Sequence, residues 1–465
     1  MSKTVWIIGT GTAGTSAAVW GRKIDRTATI YLVGSEPYSE YSRCGLPYTI
    51  SGEIPQFENL IIRADAWYTE RAKINLMLNT KVEKVNTKNR TLIIKNLKTG
   101  EEKEEHYDSL IFATGSIPKV PPIKGTDNRN VLFLHTIDDA KKIKELARKG
   151  VKAVIIGAGL IGMELSEALN KLDVKVWVVE FLESILPAMI DPDMGTIIKK
   201  KAEAEGIEFY LSSAAKEIVD EGNKLIVKGE KRDTKAEFSL EADFVVIATG
   251  MKPNTELARA SGIELGPLGG IKVNERMQTN VENVYAAGDC IEYNNMITNQ
   301  PVLAGLGTLA EREGRVAGIN AVGGDAKLPK LLLNRTTRMF GYEVAAVGLL
   351  KHQAEKAGLN PVVAKIKEKD KEHYYPDWEE VTVKLIGNGE TSEMLGAQVI
   401  GRNAALRVDI ITTAIMNKMT PKDIVDIETC YAPPVAPVWD PIAIAAMTLN
   451  DKIKAYQRRK MRRRS

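Results

Sequence analysis

One cysteine carries the clearest chemical signal in this sequence. Cys44 stands in the run YSRCGLPY, residues 41–48. Pro47 suits the first turn of a helix, so we expect the thiol at a helix N-terminus beside Arg43, where its pKa is lowered. Thr49 occupies the place of a second cysteine, so Cys44 would act alone through a mixed disulfide, a persulfide or a sulfenic acid. The alternative interpretation is a buried structural cysteine.

Two glycine-rich turns predict two dinucleotide sites. Each follows a short apolar run and precedes a helical pattern, and they are Gly9-x-Gly11-x-x-Gly14 and Gly157-x-Gly159-x-x-Gly162. The first glycine makes the tight turn, the second admits the pyrophosphate, and the third lets helix and strand pack closely. The phosphates then lie at a helix N-terminus, where free N–H groups favour an anion. Glycine-tolerant loops without a ligand are the alternative.

Acidic residues at strand ends complete these predicted sites. Glu180 closes the strand 174–180 and would bind the ribose hydroxyls, and no arginine follows it at once, which favours NAD(H) over NADP(H). Glu36 follows its strand instead of ending it, so the alternative interpretation of Glu36 is an exposed loop glutamate. Asp289 ends the run NVYAAGD and is placed to bind a sugar or ribityl hydroxyl. The runs LIFATG (110–115) and FVVIATG (244–250) end in small-residue turns that suit a cofactor.

Composition places these motifs in an ordinary globular protein. The chain has 465 residues, of which 27% are charged and 44% hydrophobic, and no apolar run is long enough for a membrane helix. Three cysteines exclude a disulfide scaffold and suggest a reducing, cytoplasmic setting. Cys290 and Cys430 are expected to be inert.

The end of the chain is strongly basic. Six of the last eight residues are Lys or Arg, whereas the net charge is only +4, so the rest is slightly acidic and is not a nucleic-acid binder. The tail could contact an anionic membrane surface, a nucleic acid or an acidic partner. A solvated disordered end is the alternative.

Together these residues resemble the FAD-dependent pyridine nucleotide-disulfide oxidoreductases, in particular their single-cysteine branch. That branch includes coenzyme A-disulfide reductases, persulfide or polysulfide reductases, and NADH oxidases and peroxidases. RCGLPY (43–48) and CYAPPVAPVWDP (430–441) carry the specific part of the resemblance, which spans residues 4 to about 450. The resemblance implies an α/β fold with two Rossmann-like domains, for FAD and NAD, and a C-terminal α+β dimerisation domain.

The resemblance also implies roles for individual residues. Those that would hold FAD are Gly9, Gly11, Gly14, Glu36, Arg43, Val82, Ala113, Thr114, Gly115 and Asp289. Those that would hold NADH are Gly157, Gly159, Gly162, Glu164, Glu180 and Gly250, with Glu164 at the nicotinamide–flavin junction. Cys44 would be the redox thiol, and Tyr431 of a second subunit, with Tyr374 or, as we predict, Tyr375, would complete the catalytic site. Arg43 could instead bind an anionic substrate, and the tyrosines could be interface packing. No metal is expected.

One departure bears on the activity. Oxidases and peroxidases of this branch carry a histidine in the first glycine turn, where this chain has Thr12. None of the four histidines belongs to a cofactor motif, which weakens an oxidase interpretation, because a histidine can protonate a peroxide or sulfenate.

The predicted domains are an FAD domain at 1–112 and 245–327, an NAD(H) domain at 113–244, a dimerisation domain at 328–450 and a basic tail at 451–465. The predicted function is a homodimeric NADH-dependent disulfide, persulfide or polysulfide reductase, with coenzyme A as one carrier of the substrate. The alternatives are an NADH oxidase or peroxidase acting through a cysteine sulfenic acid, and electron transfer to a protein carrier.

Overall fold

The computed structural model describes residues 2–462, which form two compact units. The first unit contains residues 2–120, Phe133–Lys144 and Gly250–Leu331, and the second contains Pro121–Leu132, Glu145–Thr249 and residues 332–462. The domain boundaries predicted from the sequence stay a prediction.

Runs of strands, from one to seven in succession, are separated by helices through most of the described chain. Before residue 150 they are β1 (Thr4–Ile8), α1 (Thr12–Ile24), β2 (Thr29–Val33), α2 (Leu46–Ile50), β3 (Asn75–Met77), β4 (Thr80–Asn86), β5 (Thr91–Asn96), β6 (Glu102–His106), β7 (Ser109–Phe112), β8 (Ser116–Pro118), β9 (Val131–Leu132) and α3 (Ile137–Leu146). From there to residue 249 they are β10 (Lys152–Ile156), α4 (Leu160–Asn170), β11 (Lys175–Val179), α5 (Pro192–Ala204), β12 (Glu208–Tyr210), β13 (Ser213–Asp220), β14 (Leu225–Lys231), β15 (Glu237–Ala242) and β16 (Phe244–Ile247).

The remaining elements return to the first unit and then form the C-terminal region. Up to residue 331 they are β17 (Met251–Pro253), α6 (Glu256–Ala260), β18 (Ile271–Lys272), β19 (Val284–Ala286), β20 (Ile291–Asn294), β21 (Pro301–Val302) and α7 (Gly307–Ala321). After it they are β22 (Arg335–Met339), β23 (Tyr342–Gly348), α8 (Lys351–Lys356), β24 (Pro361–Lys369), β25 (Glu380–Asn388), β26 (Met394–Ile400), α9 (Ala404–Met416), α10 (Pro421–Val425) and α11 (Pro441–Arg462).

Each unit contains a five-stranded parallel sheet of the kind the glycine motifs predict. In the first unit the order is β19-β7-β1-β2-β3, and in the second it is β12-β11-β10-β16-β9. The central strands β1 and β10 are apolar and buried on both faces, as parallel sheets require. Each ends in its glycine turn, so the turn lies at the carboxyl edge of the sheet, where ligands bind in this architecture.

The C-terminal region of the second unit is α+β, as predicted. Its antiparallel sheet has the order β22-β23-β26-β25-β24 and packs against α9 and α11. The apolar patterns of residues 394–400 and 404–416 predict a strand and a helix, and β26 and α9 have these bounds. The first strand of this sheet, β22, was not predicted, because its residues Arg-Thr-Thr-Arg-Met give little apolar signal.

The expectation of a disordered end is wrong for the residues that the structure describes. The apolar spacing of residues 441–449 predicts a last helix that ends at Leu449, yet α11 continues to Arg462. Leu449, Ile453 and Tyr456 extend its apolar stripe with helical spacing, and Ile453 is only 2% exposed. They lie over Gly387 and Gly389, where the lack of side chains leaves room for them. Arg463 and Arg464, which are part of the predicted tail, lie outside the described residues.

Candidate active site

A cavity of about 430 Å³ in the first unit gathers much of the predicted chemistry. It is lined by the β1 turn, the residues after β2, the Cys44 turn, residues 113–116 and residues 287–289. The carboxyl ends of three neighbouring strands, β1, β7 and β19, therefore converge on one space. Sequence-distant segments meet here because parallel strands present the same end at one edge.

The three glycines of the first turn serve two different purposes. A Cβ on Gly9 would lie 2.0 Å from the Ala113 carbonyl oxygen, and Gly9 has a φ of +121°. A Cβ on Gly14 would lie 1.8 Å from the Gly9 carbonyl oxygen. A Cβ on Gly11 would meet no atom of the described chain within 4 Å. Gly9 and Gly14 are thus required by the fold, whereas Gly11 keeps space open in the cavity.

Cys44 lines this cavity and is exposed. It lies in a 3-10 turn, Arg43–Gly45, directly before the single-turn helix α2. Pro47 occupies the first turn of α2, as predicted. The thiol therefore sits just before the helix rather than on its first residue, and its exposure excludes the buried structural alternative.

Arg43 directs its charge at Glu36. Its guanidinium donates to the Glu36 carboxylate at 2.5 Å, to the Tyr41 hydroxyl at 2.6 Å and to the His135 carbonyl at 2.7 Å. The Tyr41 hydroxyl donates to the other Glu36 oxygen at 2.7 Å. Glu36 is consequently oriented at the cavity wall and is not the exposed loop glutamate of the alternative interpretation.

His135 belongs to no cofactor motif, as the sequence indicates, yet the fold brings it to the cavity. It follows the two-residue strand β9, yet it lines the same cavity as Cys44. Burial, and then the positive charge of Arg43, lower the pKa of its imidazole to about 4. The ring is therefore neutral at pH 7. No local motif marks His135, since only the tertiary fold brings it to the glycine turn.

Asp289 lies at the end of β19, where the sequence predicted a hydroxyl ligand. The Ser116 hydroxyl donates to its carboxylate at 3.0 Å, and burial raises the pKa of the Asp289 carboxyl. Residues 113–115 also line the cavity. Val82 does not line it and is instead buried in β4, directly before a bulge in the ladder with β5.

Sequence reasoning missed one buried acid behind this wall. Glu313 of α7 is 1% exposed, and one carboxylate oxygen accepts the Gly288 N–H at 2.9 Å. Its other oxygen has no hydrogen-bond partner among the described residues. Burial, opposed by the Gly288 bond and reinforced by the charge of Asp289, raises the pKa of Glu313 to about 8.

The second unit repeats the glycine turn without repeating the cysteine. A Cβ on Gly162 would lie 2.0 Å from the Gly157 carbonyl oxygen, whereas one on Gly159 would meet nothing within 4 Å in the described chain. The Glu180 carboxylate accepts the N–H groups of Ala158 and Leu182, both at 2.7 Å. A ribose-binding acid thus stands at this turn as predicted.

Two other predicted nicotinamide residues have different surroundings. The Thr337 hydroxyl donates to Glu164 at 2.6 Å, and burial raises the pKa of that carboxyl. Gly250 belongs to the first unit and has a φ of +100°.

The tyrosine that lies beside Tyr431 is Tyr374 and not Tyr375. The hydroxyl 3.2 Å from that of Tyr431 belongs to Tyr374, and this hydrogen bond raises the pKa of Tyr374 to about 12. Tyr375 instead lies beneath Lys371, whose ammonium is 5.5 Å from the ring centroid. Of the other two cysteines, Cys430 is exposed, whereas burial raises the pKa of the Cys290 thiol to about 11.

This architecture, two dinucleotide folds and an α+β region, is that of a two-site flavoprotein oxidoreductase. Residues 3–314 match the pyridine nucleotide-disulphide oxidoreductase family, and residues 335–441 match the dimerisation domain of the same family. The chain therefore belongs to the pyridine nucleotide-disulphide oxidoreductase family. It is a flavoprotein oxidoreductase that uses FAD and NAD(P)H.

Several relatives are similar over nearly the whole chain. An NADH oxidase of Methanocaldococcus jannaschii is 36% identical over 95% of this chain and 97% of its own length. A CoA-dependent NAD(P)H sulfur oxidoreductase of Pyrococcus abyssi is 34% identical over 97% of this chain and 99% of its own. The structure of an NAD-dependent persulfide reductase from A. fulgidus superposes with a TM-score of 0.92 at 34% identity, covering 97% of this chain and 84% of that one.

Within residues 2–462, no helix combines the length and the apolarity that crossing a membrane requires.

Proposed function

We propose that this chain uses NADH to reduce a sulfur–sulfur bond in a disulfide, persulfide or polysulfide, including substrates carried on coenzyme A. The observation that carries the proposal is the exposed Cys44 thiol on the wall of the cavity that the first glycine turn keeps open. The net reaction converts NADH, a proton and one S–S bond into NAD⁺ and two thiols. Relatives named as sulfur oxidoreductases and a persulfide reductase support it.

The residues of the cavity fit FAD. The space over Gly11 admits a pyrophosphate against the N-terminus of α1, and Glu36 is oriented for the adenosine ribose. Asp289 would bind a ribityl hydroxyl, with residues 113–115 along the cofactor. Arg43 would fix Glu36 and offset its charge. Val82 would contact the adenine through its backbone.

Bound FAD supplies the transfer of two electrons from the nicotinamide to sulfur. The protein supplies the nucleophile: the Cys44 thiolate attacks one sulfur of the substrate, forms a mixed disulfide and releases the other half as a thiolate. Cys44 directly precedes the N-terminus of α2, where the free N–H groups would favour its anion.

The second unit would hold NADH at the turn formed by Gly157, Gly159 and Gly162. Glu180 would accept the ribose hydroxyls, because each carboxylate oxygen has a second lone pair beside its backbone bond. Glu164 would reach the junction of nicotinamide and flavin, and Gly250 would lie near the path of the dinucleotide.

The C-terminal region would make a homodimer in which Tyr431 of one subunit completes the thiol site of the other. The Tyr431 hydroxyl lies within hydrogen-bond distance of the Tyr374 hydroxyl, at 3.2 Å, and it would donate to the departing sulfur. Three cysteines in 465 residues suit a reducing setting, and we place the enzyme in the cytoplasm. The basic end of α11 would face an acidic partner.

A second candidate function is oxidation of NADH by oxygen or peroxide through a Cys44 sulfenic acid. The neutral imidazole of His135 at the same cavity favours it more than the sequence did, because an imidazole can accept or donate a hydrogen bond to an oxygenated sulfur. A relative named NADH oxidase also supports it.

The test is anaerobic and aerobic NADH consumption by wild type, C44S and C430S. We expect fast anaerobic turnover with coenzyme A disulfide, persulfide or polysulfide, which C44S abolishes and C430S retains. Faster turnover with oxygen or peroxide than with any sulfur acceptor favours the second function. Undiminished turnover of C44S with a protein carrier contradicts both and supports electron transfer.

A further inference from the structure

The turn between β14 and β15 lies against the loop that follows β11. The Arg232 N–H donates to the Ser212 carbonyl at 2.7 Å, and the Ser212 N–H donates to the Leu182 carbonyl at 2.9 Å. These bonds join the turn to the residues directly after Glu180. A distant part of the sequence therefore contributes to the edge of the second glycine site.

The side chain of Arg232 is held at this edge by two interactions. Its guanidinium carbon lies 4.0 Å from the centroid of the Phe181 ring, and its Nη1 donates to the Phe181 carbonyl at 3.1 Å. Phe181 is 54% exposed, so the stacked guanidinium faces solvent beside the ribose-binding acid. Stacking on an aromatic face leaves the planar fork of arginine oriented for further donors to bind an anion.

The charge of the neighbouring Glu180 is already engaged by the protein. Its two carboxylate oxygens accept hydrogen bonds from the Ala158 and Leu182 N–H groups. Glu180 as a whole is only 8% exposed. These bonds reduce the repulsion that an unpartnered carboxylate would exert on a phosphate. The adenosine end of the site thus presents a hydroxyl acceptor and a cation side by side.

We propose that Arg232 is the residue that binds the 2′-phosphate when the chain uses NADPH. The inference rests on the proposed nicotinamide site of the second unit and names the residue that contacts this phosphate. Arginine matches the geometry of a phosphate through paired N–H donors. The sequence missed this cation because the expected position, directly after Glu180, holds Phe181, Leu182 and Glu183.

The experiment measures binding of two adenosine probes to the FAD-loaded enzyme by isothermal titration calorimetry, without turnover. Adenosine 2′,5′-bisphosphate carries the 2′-phosphate and 5′-ADP lacks it. In R232Q we expect the affinity for the bisphosphate to fall about 10-fold, with 5′-ADP unchanged. K235Q is the matched control, because Lys235 lies in the same turn and pairs with Glu230 at 3.4 Å. Its affinity for both probes should match wild type.

Three outcomes would overturn the inference. If R232Q loses affinity for both probes equally, Arg232 only shapes the site through Phe181. If R232Q and K235Q lose affinity for the bisphosphate equally, the phosphate is attracted by the general positive charge of the turn and not by Arg232 in particular. Failure of wild type to bind either probe would contradict the proposed nicotinamide site itself, which separates that failure from a failure of Arg232.

Discussion

Alanine at Gly11 separates cofactor binding from folding, because the new methyl group would enter the cavity rather than the protein core. Gly11 has φ −75° and ψ −177°, which any residue adopts, and a Cβ there meets no atom of the described chain within 4 Å. We therefore expect the apoprotein of G11A to be as stable as wild type or about 0.4–1 kcal/mol more stable, since alanine restricts the unfolded chain. The same methyl would overlap a cofactor phosphate that approaches the turn. Such overpacking costs about 1–3 kcal/mol, which weakens FAD binding roughly 5- to 150-fold.

G14A is the matched control in the same turn. Its Cβ would lie 1.8 Å from the Gly9 carbonyl oxygen, so the backbone must move and the apoprotein should lose about 1–3 kcal/mol or more. The assay combines urea unfolding of both apoproteins with FAD titration followed by flavin fluorescence. Unchanged FAD affinity in G11A, or a loss of stability equal to that of G14A, would refute this division of roles.

Three further predictions concern acids and hydroxyls. Burial raises the pKa of Glu313 from 4.5 to about 8, so between these values the folded protein keeps a proton that the unfolded chain releases. The contribution of Glu313 to the free energy of unfolding is therefore complete below pH 4.5 and is lost as the pH rises to about 8. E313Q should remove that slope and gain on the order of 4 kcal/mol relative to wild type at pH 8, measured by urea unfolding; parallel pH profiles would contradict this. E180Q should narrow the preference of kcat/KM for NADH over NADPH, while wild type that prefers NADPH would overturn the role of Glu180. Y431F should lower kcat about 10- to 100-fold while Y374F lowers it less, and the reverse order would remove Tyr431 from the proton transfer.

The sequence was informative where the signal is local. Both glycine turns, the strands that feed them and the acids that follow are set by periodicity and by residues a few positions apart, and the structure places them at the carboxyl edges of two parallel sheets. The bounds of β26 and α9 could likewise be predicted, because β-branched and helical apolar spacing is strong there.

What the sequence missed depends on packing between distant segments. Glu313 lies in a run of charged residues, typical of a solvated helix, yet Gly314 and Gly318 bring α7 so close to α1 that a Cβ on either would be 2.2 or 2.1 Å from an α1 carbonyl oxygen. That close approach buries the acid. His135 and Arg232 reach their sites through the return from β9 and the β14–β15 turn, which no local motif specifies.

The central claim is that Cys44 lies as a thiolate beside the flavin, and an anaerobic NADH titration followed by absorbance tests it most directly. We first convert Cys44 to a mixed disulfide with coenzyme A disulfide. Two-electron reduction by NADH should then break that S–S bond, release the coenzyme A thiol, and produce a long-wavelength band from the Cys44 thiolate against oxidised flavin. C44S, treated in the same way and loaded with the same amount of FAD, should show only bleaching of the flavin. A wild-type spectrum without that band, or a C44S spectrum that retains it, would contradict the account.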